Sequence, residues 1–400
     1  MADRTPVSQH IARVNALLAP LRERGAETLP LLEALGRVTA DDIRSPIPLP
    51  PFRNSQMDGF AVRATDVARA SEREPVVLPI QGSVAAAAGT PDALEAGTAI
   101  RIMTGAPVPE GADAIVPVED TTPTGADGVE RIAVNRARTA GEYVREPGSD
   151  LAADAVLLPA GTRLASRHLA ALAAAGLAAV TVRARVRIGV VSTGSELVNP
   201  GETLGPGQIP DSNGTAIAAA VLAAGGHLVS QKHAPDTPAA LAEVFDRAID
   251  AGAELLLTSG GVSMGDHEVV RQLLEPLGAH VDSLAMQPGG PQAVAEYRGV
   301  PVVCFPGNPV SSQLSFALFV APLLRELAGL PEPRRATLAL EAAVTSIPGR
   351  RQFLRGRRLD GEQVATVSGP GSHLVAALAA SDLIIDIPED TVHLAAGDPV

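Results

Sequence analysis

Short apolar segments alternate with longer helical ones between residues 186 and 330, and this alternation constrains the fold more than any other feature of the sequence. Strands that alternate with helices form a mostly parallel sheet with helices on both faces. We therefore predict a three-layer αβα domain over residues 185–330. Its expected strands are VRIGVVS (186–192), HLVSQKH (227–233), ELLLTSG (254–260) and VPVVCF (300–305), and its expected helices span 212–226, 237–252, 267–278 and 309–330.

The remaining segments have other patterns. Apolar residues at helical spacing predict helices over 5–24, 28–44 and 166–176, whereas the parts after the proline-rich SPIPLPPF (45–52) and after Pro331 contain short strands and turns. A chain of 400 residues is long enough for several hydrophobic cores. We expect a multidomain α/β plus β fold, with a mixed, partly helical N-terminal and linker domain (1–45 and 142–184), a β-rich insertion domain (46–141), the α/β domain (185–330) and a small C-terminal β-barrel (331–400).

Composition excludes several functional classes. The net charge is −13 and aromatic residues make up only 2% of the chain, so neither a broad basic face nor base-stacking platforms are expected, and we predict no nucleic-acid partner. Cys304 is the single cysteine, which fits a reducing cytoplasm. The N-terminus has no signal-peptide pattern, and no apolar run reaches the ~18 residues of a membrane-spanning helix. We therefore expect a cytoplasmic protein without a membrane partner.

Three loops rich in small and polar residues follow strands of the predicted sheet: STGSE (192–196), TSGGVSMGDHE (258–268) and FPGNPVSS (305–312). Ligands of open α/β sheets bind beyond the carboxyl ends of the strands, so these loops should meet at one crevice. The middle loop offers backbone amides and hydroxyls to a phosphate next to a helix N-terminus, although an ordinary tight turn explains it equally well. Its candidate phosphate-binding residues are Ser259, Gly260, Gly261 and Ser263.

Acidic residues near these loops indicate a cation. Glu196, Asp266 and Glu268 in an anion site would suggest a bridging Mg²⁺, although helix N-capping is a common alternative. The FPGNP segment has proline on both sides of Gly-Asn and could form a rigid wall for a planar ligand. Cys304 precedes it at the end of an apolar strand, and we expect this cysteine to be buried and inert rather than a nucleophile.

Other motifs are absent from the sequence. There is no G-x-G-x-x-G after the first strand of the sheet, which disfavours a nucleotide-dependent oxidoreductase, and no phosphate-binding G-x-x-x-x-G-K-[ST], because Lys232 is the only lysine. Zinc-ligand spacing and the G-x-S-x-G elbow are also missing. Turn chemistry explains Asp58 before Gly59, but it does not explain the whole string PPFRNSQMDGFAV around them.

Six motifs together resemble those of one known family. In chain order they are PPFRNSQMDGFAV, MTGAPVPEGADAIVPVED, STGSEL, GQIPDSN, SGGVSMGD and FPGNPVS. This set closely resembles the MoeA-type molybdopterin molybdenumtransferases, which include the gephyrin E domain, and the similarity extends over essentially the whole chain. The resemblance implies that the α/β domain has the MogA/MoaB fold and binds molybdopterin. It also implies insertion of molybdate into adenylated molybdopterin with release of AMP, with Mg²⁺ taking part.

The resemblance also implies an assembly and a set of site residues. Members of the family are elongated homodimers whose active cleft lies between the α/β domain of one protomer and the β-rich insertion of the other, so that Asp58 would reach the site across the dimer. A molybdopterin adenylyltransferase and molybdoenzyme maturation proteins are the implied partner proteins. The implied site comprises the acids Asp58, Asp150, Glu196, Asp236 and Glu268, with Glu196 and Asp58 on Mg²⁺, and the substrate-binding residues Thr104, Ser259, Gly260, Gly261, Ser263, Pro306, Gly307, Asn308, Pro309, Arg355 and Ser372.

The loop SLAMQPGGPQ (283–292) departs from the family pattern K-x-x-x-K-P-G-K-P. Ser283, Gln287 and Gly290 stand at the three lysine positions, where the family binds its anionic substrates. One explanation is that cations come from elsewhere in the chain. The other is a catalytically altered paralogue that binds molybdopterin or a partner as a scaffold, or acts on a related oxyanion such as tungstate. The candidate replacement cations are Arg53, Arg350, Arg351, Arg355, Arg357 and Arg358.

Overall fold

The computed structural model describes residues 4–87, 89–125, 128–263 and 268–400. The chain forms two compact units. We call Thr28–Val182 the β-rich unit, and Met1–Glu27 together with Arg183–Val400 the α/β unit. The finer division into four domains stays a prediction. In the part of the chain that the structure describes, no helix is both long enough and apolar enough to span a membrane.

The N-terminal segment begins with helix α1 (Val7–Leu17), which confirms the first part of the predicted helix at 5–24. The predicted helix at 28–44 is wrong. Strand β1 (Ala26–Pro30) is followed there by isolated turns, and several backbone amides of the segment bond to carbonyls far away in the sequence. The amide of Gly36 donates to Leu164 O at 2.8 Å, for example. The leucines at helical spacing share no buried face, because Leu32 is 85% exposed.

The β-rich unit contains the short strands predicted after the proline-rich segment, whereas the bounds of the insertion domain stay a prediction. The strands are β2 (Ile43–Arg44), β3 (Asn54–Ser55), β4 (Gly59–Val62), β5 (Val76–Val84), β6 (Ala99–Ile102), β7 (Ala114–Pro117), β8 (Thr121–Thr124), β9 (Arg131–Val134), β10 (Val144–Arg145), β11 (Val156–Leu158) and, at the end of the unit, β12 (Ala179–Arg183), with helix α2 (Ser166–Ala174) before β12. Six of these strands form one sheet in the order β7-β4-β6-β5-β9-β8, and apolar side chains fill a core on each face of this sheet.

Strands and helices alternate through the middle of the α/β unit. They are β13 (Arg187–Thr193), β14 (Leu197–Val198), β15 (Ile209–Pro210), α3 (Ser212–Ala223), β16 (His227–Ala234), α4 (Pro238–Asp250), β17 (Leu255–Ser259), α5 (Val269–Leu274), β18 (His280–Ser283), β19 (Met286–Gln287), β20 (Pro291–Tyr297), β21 (Val300–Phe305), α6 (Pro309–Ser315), a π-helical turn (Phe316–Val320) and α7 (Ala321–Leu327). Six of these strands form the central sheet in the order β16-β13-β17-β21-β20-β18. The four strands expected from sequence are parallel, whereas β20 runs antiparallel to both of its neighbours.

Successive side chains of the sheet point into two different cores. Val190, Leu257 and Phe305 pack with residues of α1, α3, α6 and α7, whereas Val191 and Leu256 pack with residues of α4 and α5. Because side chains of a strand alternate between faces, a sheet covered on both sides must be apolar at consecutive positions. The structure therefore confirms the three-layer αβα arrangement.

The last part of the chain contains the predicted β structure. β19 and the C-terminal strands form a sheet in the order β19-β24-β25-β22, with β26 also paired to β24. Because β19 lies in the loop between β18 and β20, it connects this C-terminal sheet to the central sheet. The remaining elements are β22 (Ala339–Leu340), β23 (Val344–Thr345), β24 (Arg351–Arg358), β25 (Gln363–Thr366), α8 (Val375–Ala379), β26 (Leu383–Ile387) and β27 (His393–Leu394).

Candidate functional site

A cleft of about 930 Å³ lies at the carboxyl ends of β13, β17 and β21 in the α/β unit. The three loops predicted to meet there do meet. The amide of Gly260 donates to Phe305 O at 3.0 Å, and a Cβ placed on Gly307 would lie 3.4 Å from Gly260 Cα. Among the described residues that line the cleft are the predicted Glu196, Asp236, Ser259, Gly260, Gly261, Ser263, Glu268, Pro306, Gly307, Asn308, Pro309 and Ser372.

Ser259 joins the middle loop to the loop at 305–312 and to α3 instead of presenting a free hydroxyl. Its Oγ accepts hydrogen bonds from Asn213 Nδ2 at 2.9 Å and from Ser312 Oγ at 3.0 Å, and it donates to Pro306 O at 3.3 Å. Asn213 Nδ2 also donates to Gly307 O at 2.6 Å. A hydroxyl offers one donor and two acceptor positions, so that of Ser259 is saturated. We infer a positioning role for Ser259. Asn213, whose side chain holds two of the loops, was not predicted from the sequence.

The glycines of the middle loop allow close approach between neighbouring backbones. Gly260 has φ +97°, and a Cβ there would lie 2.7 Å from Thr193 Oγ1 and 2.8 Å from Thr193 O. Any larger residue would therefore clash with the end of β13 and adopt a strained backbone conformation. Since the Gly260 amide already donates to Phe305, this amide is not free for a phosphate. Phosphate binding by Gly261 and Ser263 stays a prediction.

Two acids of the cleft lie on neighbouring loops, Glu196 after β13 and Asp236 after β16. The exposed carboxylate of Glu196 folds back over Gly194, where a Cβ would come within 2.6 Å of Glu196 Oε2. The backbone carbonyl of Glu196 accepts from Ile209 N at 2.9 Å, but within the described ranges its carboxylate has no hydrogen-bond partner. Asp236 is tied to the same loop in both directions. Its Oδ2 accepts from Ser195 N at 2.8 Å, and its amide donates to Ser195 Oγ at 3.2 Å. Glu196 thus remains available to a ligand while Asp236 fixes the loop.

Glu268 and Asp211 stand at helix N-termini. Glu268 occupies the N-cap position of α5, but its side chain makes no capping hydrogen bond, so capping does not account for it. Asp211, which the sequence analysis missed, caps α3 by accepting from Gly214 N at 2.8 Å and also lines the cleft. An aspartate before a helical run is the signal that could have found it. Asp266 lies outside the described residues.

The arrangement of acids is compatible with Mg²⁺. Over the described ranges, no three His, Cys, Asp or Glu side chains gather into a ready-made metal cage. Mg²⁺ is commonly held by one or two carboxylates together with substrate phosphates, and it keeps several waters. Glu196 and Asp236, whose loops are joined through Ser195, provide the two carboxylates that such a site needs. The residues therefore fit Mg²⁺ bound together with a phosphorylated ligand.

Four predicted residues belong to the β-rich unit. Asp58 Oδ1 accepts hydrogen bonds from Thr104 N at 2.7 Å and from Thr104 Oγ1 at 2.8 Å. The first of these bonds, with the second in support, lowers the pKa of Asp58, so the exposed carboxylate is ionised at neutral pH. Asp150 is exposed, and its amide donates to Leu49 O at 2.9 Å. Arg53 forms an ion pair with Glu146 and is therefore not a free cation.

Arg355 does not line the cleft. Only 3% of this residue is exposed, and its guanidinium donates to the carbonyl groups of Gly369 and Gly371. The loop that it holds contains Ser372, whose carbonyl accepts from Val310 N at 3.1 Å at the start of α6. Arg355 thus positions Ser372, and direct contact between Arg355 and an oxyanion stays a prediction. Cys304 is buried, as expected, and burial raises its pKa to about 12, so it is no nucleophile.

Comparison with protein families gives one consistent result along the chain. Residues 5–176 match the MoeA N-terminal region (domains I and II), residues 189–326 match a probable molybdopterin-binding domain, and residues 337–400 match the MoeA C-terminal region (domain IV). The central match contains the cleft loops from the first strand to the PGNP segment. The comparison thus places the candidate site in a segment whose family is described by the binding of molybdopterin.

Individual relatives agree with the family matches. Molybdopterin molybdenumtransferase 2 of Mycobacterium tuberculosis is 44% identical over 382 residues, 92% of this chain and 93% of the relative. The molybdopterin molybdenumtransferase of Bacillus subtilis is 32% identical and covers 96% of this chain and 90% of the relative. A solved MoeA protein from Pyrococcus horikoshii has a TM-score of 0.81 and 33% identity, with 99% of this chain and 98% of that chain covered.

Proposed function

The chain belongs to the MoeA family of molybdopterin molybdenumtransferases, and on this basis we propose that it inserts molybdate into adenylated molybdopterin with release of AMP. The reaction breaks the phosphoanhydride between the pterin phosphate and AMP. An oxygen of water or of molybdate forms the new bond to phosphorus as AMP leaves, and the two pterin sulfurs bind molybdenum in place of an oxygen that leaves with the phosphate or as water. The enzyme is a transferase of molybdenum cofactor biosynthesis.

The single observation that carries this proposal is the convergence of three loops on one cleft. The loops at 192–196, 258–263 and 305–312 come from three parallel strands, and the cleft of about 930 Å³ is large enough for a pterin nucleotide. Pro306 and Pro309 stiffen one wall of the cleft. The glycines of the middle loop have no side chains, so a ligand can approach the backbone of another wall closely. Phosphate groups and a planar ring system can therefore be bound side by side.

The described acids suggest a division of roles. At the cleft, the carboxylate of Glu196 has no partner among the residues that the structure describes, and Asp236 holds the Glu196 loop through Ser195. Mg²⁺, when bound, offsets negative charge on the phosphoanhydride as AMP leaves. We propose Glu196 and Asp236 as its carboxylate ligands. Asp58 is proposed as a further ligand, supported by the two hydrogen bonds that keep it ionised.

The test is AMP release from adenylated molybdopterin in the presence of molybdate and Mg²⁺. We expect molybdate-dependent release by the wild type and a kcat at least roughly 100-fold lower for Glu196→Gln, because the metal loses a charged ligand. Glu243→Gln is the matched control, since Glu243 is exposed on α4, pairs with Arg247 and does not line the cleft. A wild type that binds the adenylate tightly but releases no AMP at any molybdate concentration would contradict the proposal.

We also propose that the protein works as a cytoplasmic homodimer. The support is the family resemblance, together with the exposure of the ionised Asp58 and its partner Thr104. The test mixes Asp58→Asn protomers with Glu196→Gln protomers, each inactive alone. If the site combines residues of two protomers, mixing restores up to about a quarter of the wild-type AMP release. Mass measurement in solution checks the dimer, and pull-down with a molybdopterin adenylyltransferase tests the proposed source of substrate.

A further inference from the structure

The neutral loop at residues 283–292 lies between two other chain segments in the α/β unit. On one side, Thr5 N donates to Ser283 O at 3.0 Å, and Ala285 N donates to Thr5 O at 2.8 Å. On the other side, Arg351 N donates to Ala285 O at 2.9 Å, and β19 pairs in parallel with the start of β24. The backbone pairing thus places one residue from each flanking segment, Arg4 and Arg350, next to the side chains of this loop.

Each neutral position of the loop lies beside one of these two arginines. Arg4 Nη1 donates to Ser283 Oγ at 3.3 Å and to Leu284 O at 3.2 Å, and a Cβ placed on Gly290 would lie 3.3 Å from the same nitrogen. Arg350 Nη1 donates to Gln287 Oε1 at 3.3 Å. Both arginines line the cleft together with Gln287 and Gly290. Positive charge is therefore present at this end of the cleft, although the loop itself supplies none.

The partners of their guanidinium groups distinguish Arg4 and Arg350 from two other candidate cations, Arg351 and Arg355. Arg351 is neutralised by a two-pronged contact with Asp386, at 2.7 and 2.6 Å. Arg355 is buried and donates to backbone carbonyls. Among the residues that the structure describes, Arg4 and Arg350 have no carboxylate partner, and both are half-buried. A guanidinium carries five N–H donors, so most donors of both remain free for a ligand.

We propose that Arg4 and Arg350, which we call the arginine pair, bind a tetrahedral oxyanion of the substrate in the cleft. This inference rests on the proposed function, since the oxyanion is either molybdate or the phosphate of the pterin ligand. The planar fork of arginine suits two-pronged contacts with such an anion, and half-burial limits screening by water. The neutral loop thus leaves room for the long side chains of Arg4 and Arg350, which come from outside the loop and reach the anion.

The test measures binding directly, by calorimetry of the full-length protein with adenylated molybdopterin and, separately, with molybdate. We expect Arg4→Ala and Arg350→Ala each to weaken binding of one of these ligands by roughly 10- to 100-fold, the usual effect of losing a charge-assisted contact. Loss for molybdate alone would identify the inserted oxyanion as the bound group. Loss for the adenylate alone would identify the phosphate, and both results support the arginine pair.

Rescue variants separate charge from mere packing. Gln287→Lys added to Arg350→Ala, and Ser283→Lys added to Arg4→Ala, should recover most of the lost affinity, because each returns a cation to the same end of the cleft. Arg335→Ala is the matched control, since Arg335 is exposed, makes no hydrogen bond in the described part of the chain and lies outside the cleft lining. An equal loss in this control would show an effect of net charge only and would overturn the inference.

The two proposals fail in different ways. Unchanged affinity of Arg4→Ala and Arg350→Ala for both ligands, in a wild type that releases AMP, would overturn the arginine pair and leave the transferase intact. A wild type that binds the anions through both arginines but releases no AMP would overturn the transferase and leave the arginine pair intact. Thermal unfolding of each variant checks that a loss of binding is not a loss of fold.

Discussion

The Nδ1 atom of His10 lies 2.9 Å from Oδ2 of Asp282, and this buried contact fastens the N-terminal segment to the strand that leads into the cleft loop. Thr5 Oγ1 also donates to Asp282, at 2.9 Å, and Arg13 forms an ion pair with it. Burial lowers the pKa of His10, and the carboxylate only partly opposes this shift. His10 is therefore neutral and donates through Nδ1. Arg4 is held in the cleft by the same anchorage.

Acidification should weaken this anchorage in a defined window. A histidine whose folded-state pKa lies below its unfolded value stabilises the fold above about pH 6.5, and the stabilisation is lost as the pH falls toward the folded pKa. We expect the free energy of unfolding to fall by up to about 1.4 kcal/mol per pH unit below that point. Urea titrations at pH 7.5 and 5.5 test this, with His10→Gln as the variant that lacks the slope. A rise in stability on acidification would show instead that His10 is charged and paired.

Removal of the Asp282 side chain should lower the free energy of unfolding much more than removal of an exposed surface acid does. Burial tends to raise the pKa of Asp282, but hydrogen bonds from His10 and Thr5 and the charge of Arg13 together hold it below its usual range. Asp282→Ala would leave these donors without their acceptor, and we expect a loss of about 3 kcal/mol. Chemical denaturation measures it, with the exposed Asp360→Ala as comparison. Equal stability of the two variants would contradict this account.

Gly260 should tolerate alanine less well than a glycine in open space does. Both Gly260 and Gly207 have positive φ, but a Cβ on Gly207 meets nothing within 4 Å. Gly207→Ala should therefore cost only the left-handed backbone strain, about 1–2 kcal/mol. Gly260→Ala should cost more and also weaken binding of adenylated molybdopterin, because the end of β13 must move. If denaturation gives the same cost for both, the close contact with Thr193 does not determine the loop.

Thr104 should control the acidity of Asp58. Thr104→Val removes the side-chain hydrogen bond but keeps the backbone one, which is the larger cause of the lowered pKa. We therefore expect the Asp58 pKa to rise part of the way toward its ordinary value, and NMR titration of the carboxyl carbon follows it. Thr104→Ser keeps the hydroxyl and serves as control. A Val variant with an unchanged pKa would assign the whole shift to the backbone amide.

Cys304 should be chemically silent in the folded protein. It is fully buried in the central sheet, and its pKa of about 12 leaves almost no thiolate at neutral pH. We expect no reaction with a thiol reagent under native conditions and one equivalent of reaction in denaturant. Rapid native labelling would mean that β21 opens frequently, and it would contradict the packing described above.

The sequence predicted the parallel strands well because a strand buried on both faces is a continuous apolar run. It did not predict β20 (Pro291–Tyr297), whose alanines and glutamate favour helix and whose start follows a Pro-Gly-Gly-Pro string. Pairing with β21 and β18, which no local pattern encodes, makes it a strand.

The residues of the candidate site also fall into those that a local motif predicts and those that only the fold brings together. Motif residues such as Glu196 and Pro306 were found because they occur in recognisable local strings, and the cleft brings them together. Arg4 was missed because 279 residues separate it from Ser283, and nothing in the N-terminal sequence indicates a role in a site. Ser259 was assigned to phosphate because its loop looks like a phosphate loop, whereas the structure uses its hydroxyl to hold neighbouring loops.

The position of Arg4 and Arg350 on segments that flank the loop has a consequence for how divergent copies are classified. A residue-by-residue comparison scores three lost lysines and suggests a degenerate enzyme. The relevant quantity is the charge within the volume that the ligand would occupy, and this volume collects side chains from both ends of the chain. Classification of active and inactive copies should therefore compare the electrostatic potential of the folded cleft, in which distant substitutions can compensate for one another.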